Sequence, residues 1–313
     1  MSGLAHELSG KRILVTGAGG FVGRAVMSRI AQIGARPVGL VRRHDPAPGA
    51  DTGAWVYADL VTDPLDGLLS AAAPDGVIHC AGRASAPDTD AGRTSLYDAN
   101  LMATVRLIAA LSRMSSRPRV VVVSSAAIWA PMQPDQSMID EQHPIRPSAS
   151  YGVSKAAATL HALAEADRLD LDLAVAVLFN VIGPNQHKHM VPQVFIDAIR
   201  ANPFSFALQN ADVVRDWIDL TDVADALVAL SRPNGPRGMF NVSTGTGRSL
   251  KHMIGEICKV GGWTPSLCPS DAAPAPGVAK SIGNPQKLRA ATDWAPKVDL
   301  AQSLHRMIYG QGV

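Results

Sequence analysis

Short apolar segments without alternating polarity recur along the first 180 residues of this chain, and helical patterns separate them. The strand signals lie at 12–15, 37–41, 55–58, 76–80, 119–123 and 173–179, with later ones at 213–220 and 239–242. Strands that are apolar on both sides belong to parallel sheets with helices on both faces. The sequence therefore predicts a Rossmann-type doubly wound α/β fold, whose ligands bind beyond the carboxyl ends of the strands.

The pattern changes after Asn180, where Gly183 and Pro184 interrupt the chain and a helix near 191–201 follows. We therefore expect two domains. The dinucleotide-binding domain takes residues 1–180 plus 213–243. A small substrate-binding lid takes residues 181–212 plus 244–313, and from residue 249 on we expect helices and loops.

Composition excludes several classes of partner. The net charge is +2, only 18% of the 313 residues are charged, and no run of like charge occurs, so we expect neither nucleic acid nor a membrane surface as a partner. No apolar stretch approaches the roughly 20 residues that span a bilayer. Met1–Gly10 lacks a signal peptide's apolar region. Three widely spaced cysteines predict reduced thiols in a cytoplasmic protein. His187 and His189 have no third ligand at suitable spacing, so we expect no metal.

Residues 16–23 read TGAGGFVG between the first strand and a helix. In this pattern Gly17 permits a tight turn, Gly20 lets the backbone approach a pyrophosphate, and Gly23 lets helix and strand pack closely. The helix N-terminus adds free N–H groups and a partial positive charge. The segment therefore predicts a dinucleotide site.

The end of the second strand predicts which dinucleotide binds. A carboxylate there would accept the ribose 2′-hydroxyl, whereas an arginine suits a 2′-phosphate. This chain has Val41 followed by Arg42 and Arg43. The sequence therefore favours NADP, through Arg42, and leaves NAD possible. Asp59, after the third strand, either accepts from the adenine amino group or caps a turn.

A proton-transfer group is predicted at Ser125, Tyr151 and Lys155. Tyr151 and Lys155 are four residues apart on a predicted helix and share one face, and Ser125 ends the preceding strand. A tyrosine that works near neutral pH needs a pKa about three units below its ordinary value, an effect of about 4 kcal/mol. The ammonium of Lys155 can supply part of that shift, and Ser125 can hold a substrate oxygen beside the phenol.

The chain resembles the extended short-chain dehydrogenase/reductase family, in particular its nucleotide-sugar epimerases, dehydratases and reductases. The resemblance spans most of the chain and rests on these motifs: TGAGGFVG (16–23), DL (59–60), VIHCAG (77–82), Asn100, VSSAAIW (123–129), YGVSK (151–155), FNVIGP (179–184), RDWIDLTDVADA (215–226) and FNVSTG (240–245).

The resemblance implies site residues and an assembly. It assigns a nucleotide-sugar substrate to Asn180, Arg215 and His189, with Arg215 on the pyrophosphate, and it implies a homodimer formed by the helices at 96–113 and 151–169. The residues that it assigns to the cofactor, besides the glycines, Arg42, Tyr151 and Lys155, are Phe21, Val22, Asp59, Leu60, Ala81 and Asn100.

Departures from the family pattern reduce the number of reactions that we expect of this chain. The acidic pair by which the dehydratases eliminate water is replaced here by Ala126 and Ala127, so dehydration is not expected. Trp129 and Val177 stand where the family commonly has tyrosine and arginine. The sequence IGPNQ (182–186) and the Arg42–Arg43 pair look like GDP-4-keto-6-deoxysugar reductases. The leading hypothesis is therefore a 4-ketoreductase, with a nucleotide-sugar 4-epimerase and a non-catalytic dinucleotide sensor as alternatives.

Overall fold

The computed structural model of the chain describes residues 2–43, 53–202, 205–208, 210–269 and 278–310. Its strands are Arg12–Thr16 (β1), Arg36–Val41 (β2), Ala54–Tyr57 (β3), Gly76–His79 (β4), Arg119–Ser125 (β5), Leu173–Leu178 (β6), Asn180–Ile182 (β7), Ser205–Leu208 (β8), Val214–Asp219 (β9), Gly238–Val242 (β10), Gly247–Ser249 (β11), Ser266–Pro269 (β12) and Lys280–Ser281 (β13).

The helices alternate with these strands through the first half of the chain. They are Ser2–Leu8 (α1), Phe21–Gln32 (α2), Asp66–Ala72 (α3), Asp90–Tyr97 (α4), Ala103–Ser112 (α5), Ser150–Leu169 (α6), Val191–Ala201 (α7), Leu220–Leu230 (α8), Leu250–Gly261 (α9), Gln286–Thr292 (α10) and Leu300–Tyr309 (α11).

A seven-stranded sheet in the order β10-β6-β5-β4-β1-β2-β3 forms the centre of the molecule, and every pairing in it is parallel. Apolar side chains pack on both of its faces. One core includes residues of α2, α8 and α10, and the other includes residues of α3, α5 and α6. This arrangement confirms the predicted doubly wound fold, and it brings the carboxyl ends of β1, β4 and β5 to one edge.

A second sheet stands beside this edge. Its central strand β9 pairs with β7 and β13 in parallel and with β11 antiparallel. Within the described residues β9 pairs only with strands of this second sheet. The first two residues of β9, Val214 and Arg215, are half-buried, and the four that follow are buried. The predicted domain division, which places 213–243 with the large domain, stays a prediction. The strands β12 and β13 lie beyond residue 249, where only helices and loops were expected.

The helix predicted over 96–113 is interrupted. Residues Asp98–Met102 form one wide π-helical turn between α4 and α5. The buried side chain of Asn100 in this turn bonds the backbone of Arg83 and the hydroxyl of Ser154. Such turns are frequent at functional sites because the extra residue redirects a side chain.

Asp219 fastens the C-terminal helix to the molecule. Its carboxylate is almost fully buried and accepts from the amide of Thr221 at 2.7 Å, from the hydroxyl of Ser303 and from the guanidinium of Arg306 at 2.5 Å. One side chain therefore joins the start of α8 to α11.

No helix among the described residues is long and apolar enough to span a bilayer.

Asp219→Ala should lower the free energy of unfolding by about 3 kcal/mol, because it leaves the partly buried Arg306 cation and three further donors without their acceptor. Urea unfolding followed by circular dichroism measures the change. Asp88→Ala is the control, since Asp88 is exposed and its ion pair with Arg93 should contribute less than about 1 kcal/mol. Equal losses in both variants would contradict this role of Asp219.

Candidate active site

The glycine turn fits tightly between β1, β4 and α2. Gly17 has φ +65°, and a Cβ there would lie 2.7 Å from the Cα of Ala81. At Gly23 a Cβ would lie 2.2 Å from the carbonyl oxygen of Gly17, so only glycine allows α2 to start so close to the turn. The N-cap residue Gly20 provides no side-chain cap. The turn is therefore a cradle in which backbone N–H groups at a helix start can meet a phosphate.

A second close approach lies beyond β4. A Cβ on Gly82 would lie 2.5 Å from Oδ1 of Asn100 and 3.2 Å from Nζ of Lys155. Asn100, Lys155 and the segment Ala81–Gly82 thus meet beside the glycine turn. The residues present fit a dinucleotide, because glycine backbone and buried donors line one continuous edge of the sheet.

The other predicted cofactor residues occupy the same edge. Phe21 and Val22 are half-buried at the start of α2, and Arg42 is exposed directly after β2. Leu60 is buried beyond β3. One carboxylate oxygen of Asp59 accepts from the amide of Val61 at 2.8 Å, which is the turn-forming geometry expected as the alternative to an adenine contact.

Tyr151 lies in the first turn of α6, next to Ser125 at the end of β5. Gly152 brings these elements together, since a Cβ there would lie 2.4 Å from the carbonyl oxygen of Ala127. A side-chain hydrogen bond joins Ser125 to the phenol. Sequence reasoning overlooked Gly152, although it belongs to the YGVSK motif.

The charges differ from the expectation. Burial raises the pKa of Tyr151, and the hydrogen bond with Ser125 opposes this only in part. Burial also lowers the pKa of Lys155 to about 8. The ammonium of Lys155 donates to the carbonyl oxygen of Val123 at 3.0 Å. Burial thus moves the pKa of Tyr151 opposite to the expected direction, and the phenol keeps its proton at neutral pH.

A cavity of about 280 Å³ opens in front of Tyr151 and Ser125. Asn180 and Arg215 also line it, so four predicted site residues share one cavity. Its described lining residues include no carboxylate, and much of its wall is apolar: Ala126, Ala127, Trp129, Ala130, Ile139, Leu178 and Phe179. Val177, by contrast, is fully buried in the core of the main sheet.

Arg215 is the cationic side chain of this lining. It is partly buried, and burial lowers its pKa. Its guanidinium donates to the carbonyl oxygen of Val214 at 2.9 Å, and no ion pair within the described residues involves it. A partly buried cation without a carboxylate beside a cavity is suited to an anionic ligand.

His189 does not line the cavity. It is exposed, and its ring stacks against that of His187 with centroids 4.9 Å apart. The structure therefore does not bring it together with Arg215, and its part in substrate binding stays a prediction.

Part of the far wall of the cavity comes from Val278 and Ser281, which lie outside every motif. Ser281 lies beside Arg215 because β13 pairs with β9 in that register. The buried carboxylate of Asp216 accepts from the amides of Thr244, Gly245 and Gly283, which holds this wall together. The sequence analysis assigned no role to Asp216, although it belongs to the motif at 215–226.

Residues 13–243 match the sequence model of the NAD dependent epimerase/dehydratase family. The chain is 27% identical over 308 residues to the UDP-glucose 4-epimerase of Mycolicibacterium smegmatis, covering 95% of this chain and 97% of that protein. It is also 31% identical over 253 residues to the dTDP-6-deoxy-L-talose 4-dehydrogenase (NAD(P)(+)) of Kitasatospora kifunensis, covering 78% of this chain and 77% of that protein.

Among solved structures, that of MoeE5 in complex with UDP-glucuronic acid and NAD is similar. The TM-score is 0.83 at 25% sequence identity, and the match covers 95% of this chain and 98% of that chain. The likeness extends across both sheets rather than the glycine turn alone.

Gly23→Ala should weaken dinucleotide binding by about tenfold or more, because the new methyl group must displace the Gly17 carbonyl and distort the phosphate cradle. Isothermal titration calorimetry measures the dissociation constant without any turnover. Gly255→Ala in α9 is the matched control, since a Cβ there meets nothing within 4 Å. Unchanged affinity in Gly23→Ala would contradict the assignment of the cradle.

Proposed function

Since this chain belongs to the NAD dependent epimerase/dehydratase family, we propose that it is an NAD(P)-dependent oxidoreductase acting on a nucleotide-activated sugar. Its best-supported reaction is reduction of a 4-keto-6-deoxysugar nucleotide at C4. A bound reduced nicotinamide cofactor supplies the hydride to C4. Tyr151 donates the proton to O4, Ser125 hydrogen-bonds the same oxygen, and Lys155 supports the phenol.

The observation that carries the proposal is the shared cavity. It places the protonated phenol of Tyr151 and the hydroxyl of Ser125 in the same lining as the cation of Arg215. A neutral sugar linked to a diphosphate needs this combination, because the reacting carbonyl requires an acid and the diphosphate a cation. Arg215 and Asn180 are the proposed substrate-binding residues.

The lining also favours reduction of a deoxysugar over dehydration. Elimination of water requires an acid–base group near C5 and C6 of the sugar, and Ala126 and Ala127 occupy the wall where the dehydratases carry theirs. An apolar wall of Ala126, Ala127 and Trp129 suits a methyl group, because a hydroxyl placed there would lose hydrogen bonds to water. The name of the Kitasatospora relative, a 4-dehydrogenase, also denotes a redox reaction at C4 of a 6-deoxysugar nucleotide.

A 4-epimerase is the second candidate. The Mycolicibacterium relative, which aligns along almost the whole chain, is a UDP-glucose 4-epimerase. Epimerisation would use the same Ser125, Tyr151 and Lys155. Tyr151 would act first as a base and then as an acid. The raised pKa of the phenol favours the acid role, which comes first in reduction.

Cofactor consumption separates the candidates. The purified protein is incubated with UDP-, GDP-, CDP- and dTDP-sugars and with their 4-keto-6-deoxy forms, and the reduced nicotinamide is followed by absorbance. A reductase consumes one cofactor per product, whereas an epimerase converts the sugar without net consumption. Binding of dinucleotide without conversion of any sugar nucleotide would leave the non-catalytic sensor.

Tyr151→Phe should lower kcat by about 10³-fold while leaving the dinucleotide dissociation constant within about threefold, because it removes only the proton donor. Tyr309→Phe is the control, since that hydroxyl is exposed and donates to the carbonyl oxygen of Val260. Steady-state kinetics and calorimetry provide the two readouts. Full activity in Tyr151→Phe would exclude the proposed acid.

Arg42→Ser should raise the dissociation constant of NADPH about tenfold and leave that of NADH unchanged, because an arginine here contacts a 2′-phosphate that only NADPH carries. Arg36→Ser, at the opposite end of the same strand, is the matched control. An equal effect on both cofactors would remove the basis for preferring NADP.

The proposed assembly is a homodimer. Val153 and Leu160 on α6 are exposed and lie seven residues apart on one helix face. Met102, at the end of the π-helical turn, is also exposed. Contact of this face with its copy in a second chain would cover these apolar side chains.

A further inference from the structure

His79 is buried in the middle of the molecule and has no part in the proposed reaction. It is the last residue of β4 and only 2% exposed. Its Nδ1 lies 2.7 Å from the hydroxyl of Thr16 on β1, and its Nε2 lies 3.0 Å from the hydroxyl of Thr104 on α5. Both ring nitrogens are therefore engaged, one toward each neighbouring element.

The direction of these hydrogen bonds follows from their outer partners. The hydroxyl of Thr104 lies 2.7 Å from the carbonyl oxygen of Asn100, which can only accept, so the single proton of that hydroxyl points there. The Nε2 atom of His79 must then donate to Thr104. At the other end the amide of Ala81, which can only donate, points to the hydroxyl of Thr16 at 3.2 Å.

The charge state of the ring completes the assignment. Burial, and to a smaller extent the nearby ammonium of Lys155, lower the pKa of His79 to about 3, so the ring is neutral. With its one proton on Nε2, Nδ1 accepts from Thr16. The hydrogen bonds thus run in one sense from Ala81 through Thr16, His79 and Thr104 to Asn100. We call this series the His79 chain.

The two ends of the His79 chain lie at two parts of the candidate site. Ala81 packs against Gly17 of the glycine turn. Asn100 donates from its side chain to the hydroxyl of Ser154 at 2.9 Å, and that hydroxyl donates to the carbonyl oxygen of Tyr151 at 2.8 Å. One end therefore supports the dinucleotide cradle, and the other supports the first turn of the helix that carries the proton donor.

We propose that His79, held as the Nε2–H tautomer, is a positioning residue that fixes the glycine turn through Nδ1 and the Tyr151 helix start through Nε2. The inference rests on the proposed function only for what the helix end does. What we propose for the cradle end depends only on dinucleotide binding and does not depend on which sugar nucleotide reacts. Loss of the Nδ1 bond should weaken dinucleotide binding, and loss of the Nε2 bond should slow proton transfer.

Two substitutions of His79 separate the two halves of the His79 chain. In His79→Asn the side-chain amide can place an acceptor near the position of Nδ1, and in His79→Gln it can place a donor near the position of Nε2. We expect His79→Gln to raise the dinucleotide dissociation constant about tenfold. We expect His79→Asn to leave that constant within about threefold and to lower kcat about tenfold.

Threonine variants test the same split without changing the ring. Thr16→Val should behave like His79→Gln, and Thr104→Val like His79→Asn, even if a substitution of His79 itself prevents folding. Thr159→Val is the matched control, because Thr159 is equally buried but bonds Ser124 outside the His79 chain. It should change neither quantity by more than about threefold. Thermal unfolding of every variant identifies any that are not folded.

Nitrogen-15 NMR of the histidine rings gives a readout that a packing role would not move. We expect His79 to show a protonated Nε2 and an unprotonated Nδ1, with no titration between about pH 5 and 9. A proton on Nδ1, titration near pH 6.5, or equal effects of the paired variants on affinity and kcat would overturn the proposal. Calorimetry and NMR need no turnover, so they decide it even if no sugar nucleotide is reduced.

Discussion

The steric fit of the glycine turn against β4 determines where everything else in the site can lie. Gly17 approaches Ala81, and Gly23 approaches the carbonyl of Gly17, more closely than any side chain would allow. This packing aligns the start of α2 with the carboxyl ends of β1 and β4. The buried hydrogen bonds of His79 and Asn100 extend the same constraint to α6, so that Tyr151 and Lys155 face the edge where the turn lies.

The second wall of the site is built by different forces. Here buried carboxylates accept several backbone amides each, as Asp216 does from the segments at 244–245 and 283. Asp222 likewise accepts from the amides of Lys297 and Val298. Burial raises the pKa of both carboxyls, and the donated hydrogen bonds oppose that rise. The C-terminal part of the chain is thus fastened by polar contacts around β9, in addition to its own apolar core.

The sequence allowed prediction of the parallel sheet and its flanking helices because the signals for them are local. Apolar runs such as 119–123 become central strands whatever their neighbours are, and a glycine-rich turn between a strand and a helix has few other uses. The same locality brought Ser125 and Tyr151 together correctly. Arg215 and Asn180 line the same cavity, and their assignment to the substrate stays a prediction.

What escaped prediction depends on contacts between distant residues. The strand β13 has two residues and no periodic signal, and it exists because β9 offers it an edge. The π-helical turn around Asn100 results from a side chain that bonds Arg83 and Ser154, not from helix propensity. The pKa of Tyr151 was expected to fall because Lys155 lies four residues away. In the structure that ammonium bonds Val123, so burial decides the direction.

The cavity draws its two sides from separate sheets, and this has a consequence for how such a molecule can diversify. Ser125 and Tyr151 belong to the parallel sheet and its helix, whereas Arg215 and Ser281 belong to the sheet around β9. Mutations can therefore remodel the ligand-facing wall around β13 while the opposite half keeps its geometry. Selectivity for a ligand can thus change through substitutions around β13, while the half that holds Ser125 and Tyr151 stays intact in every intermediate.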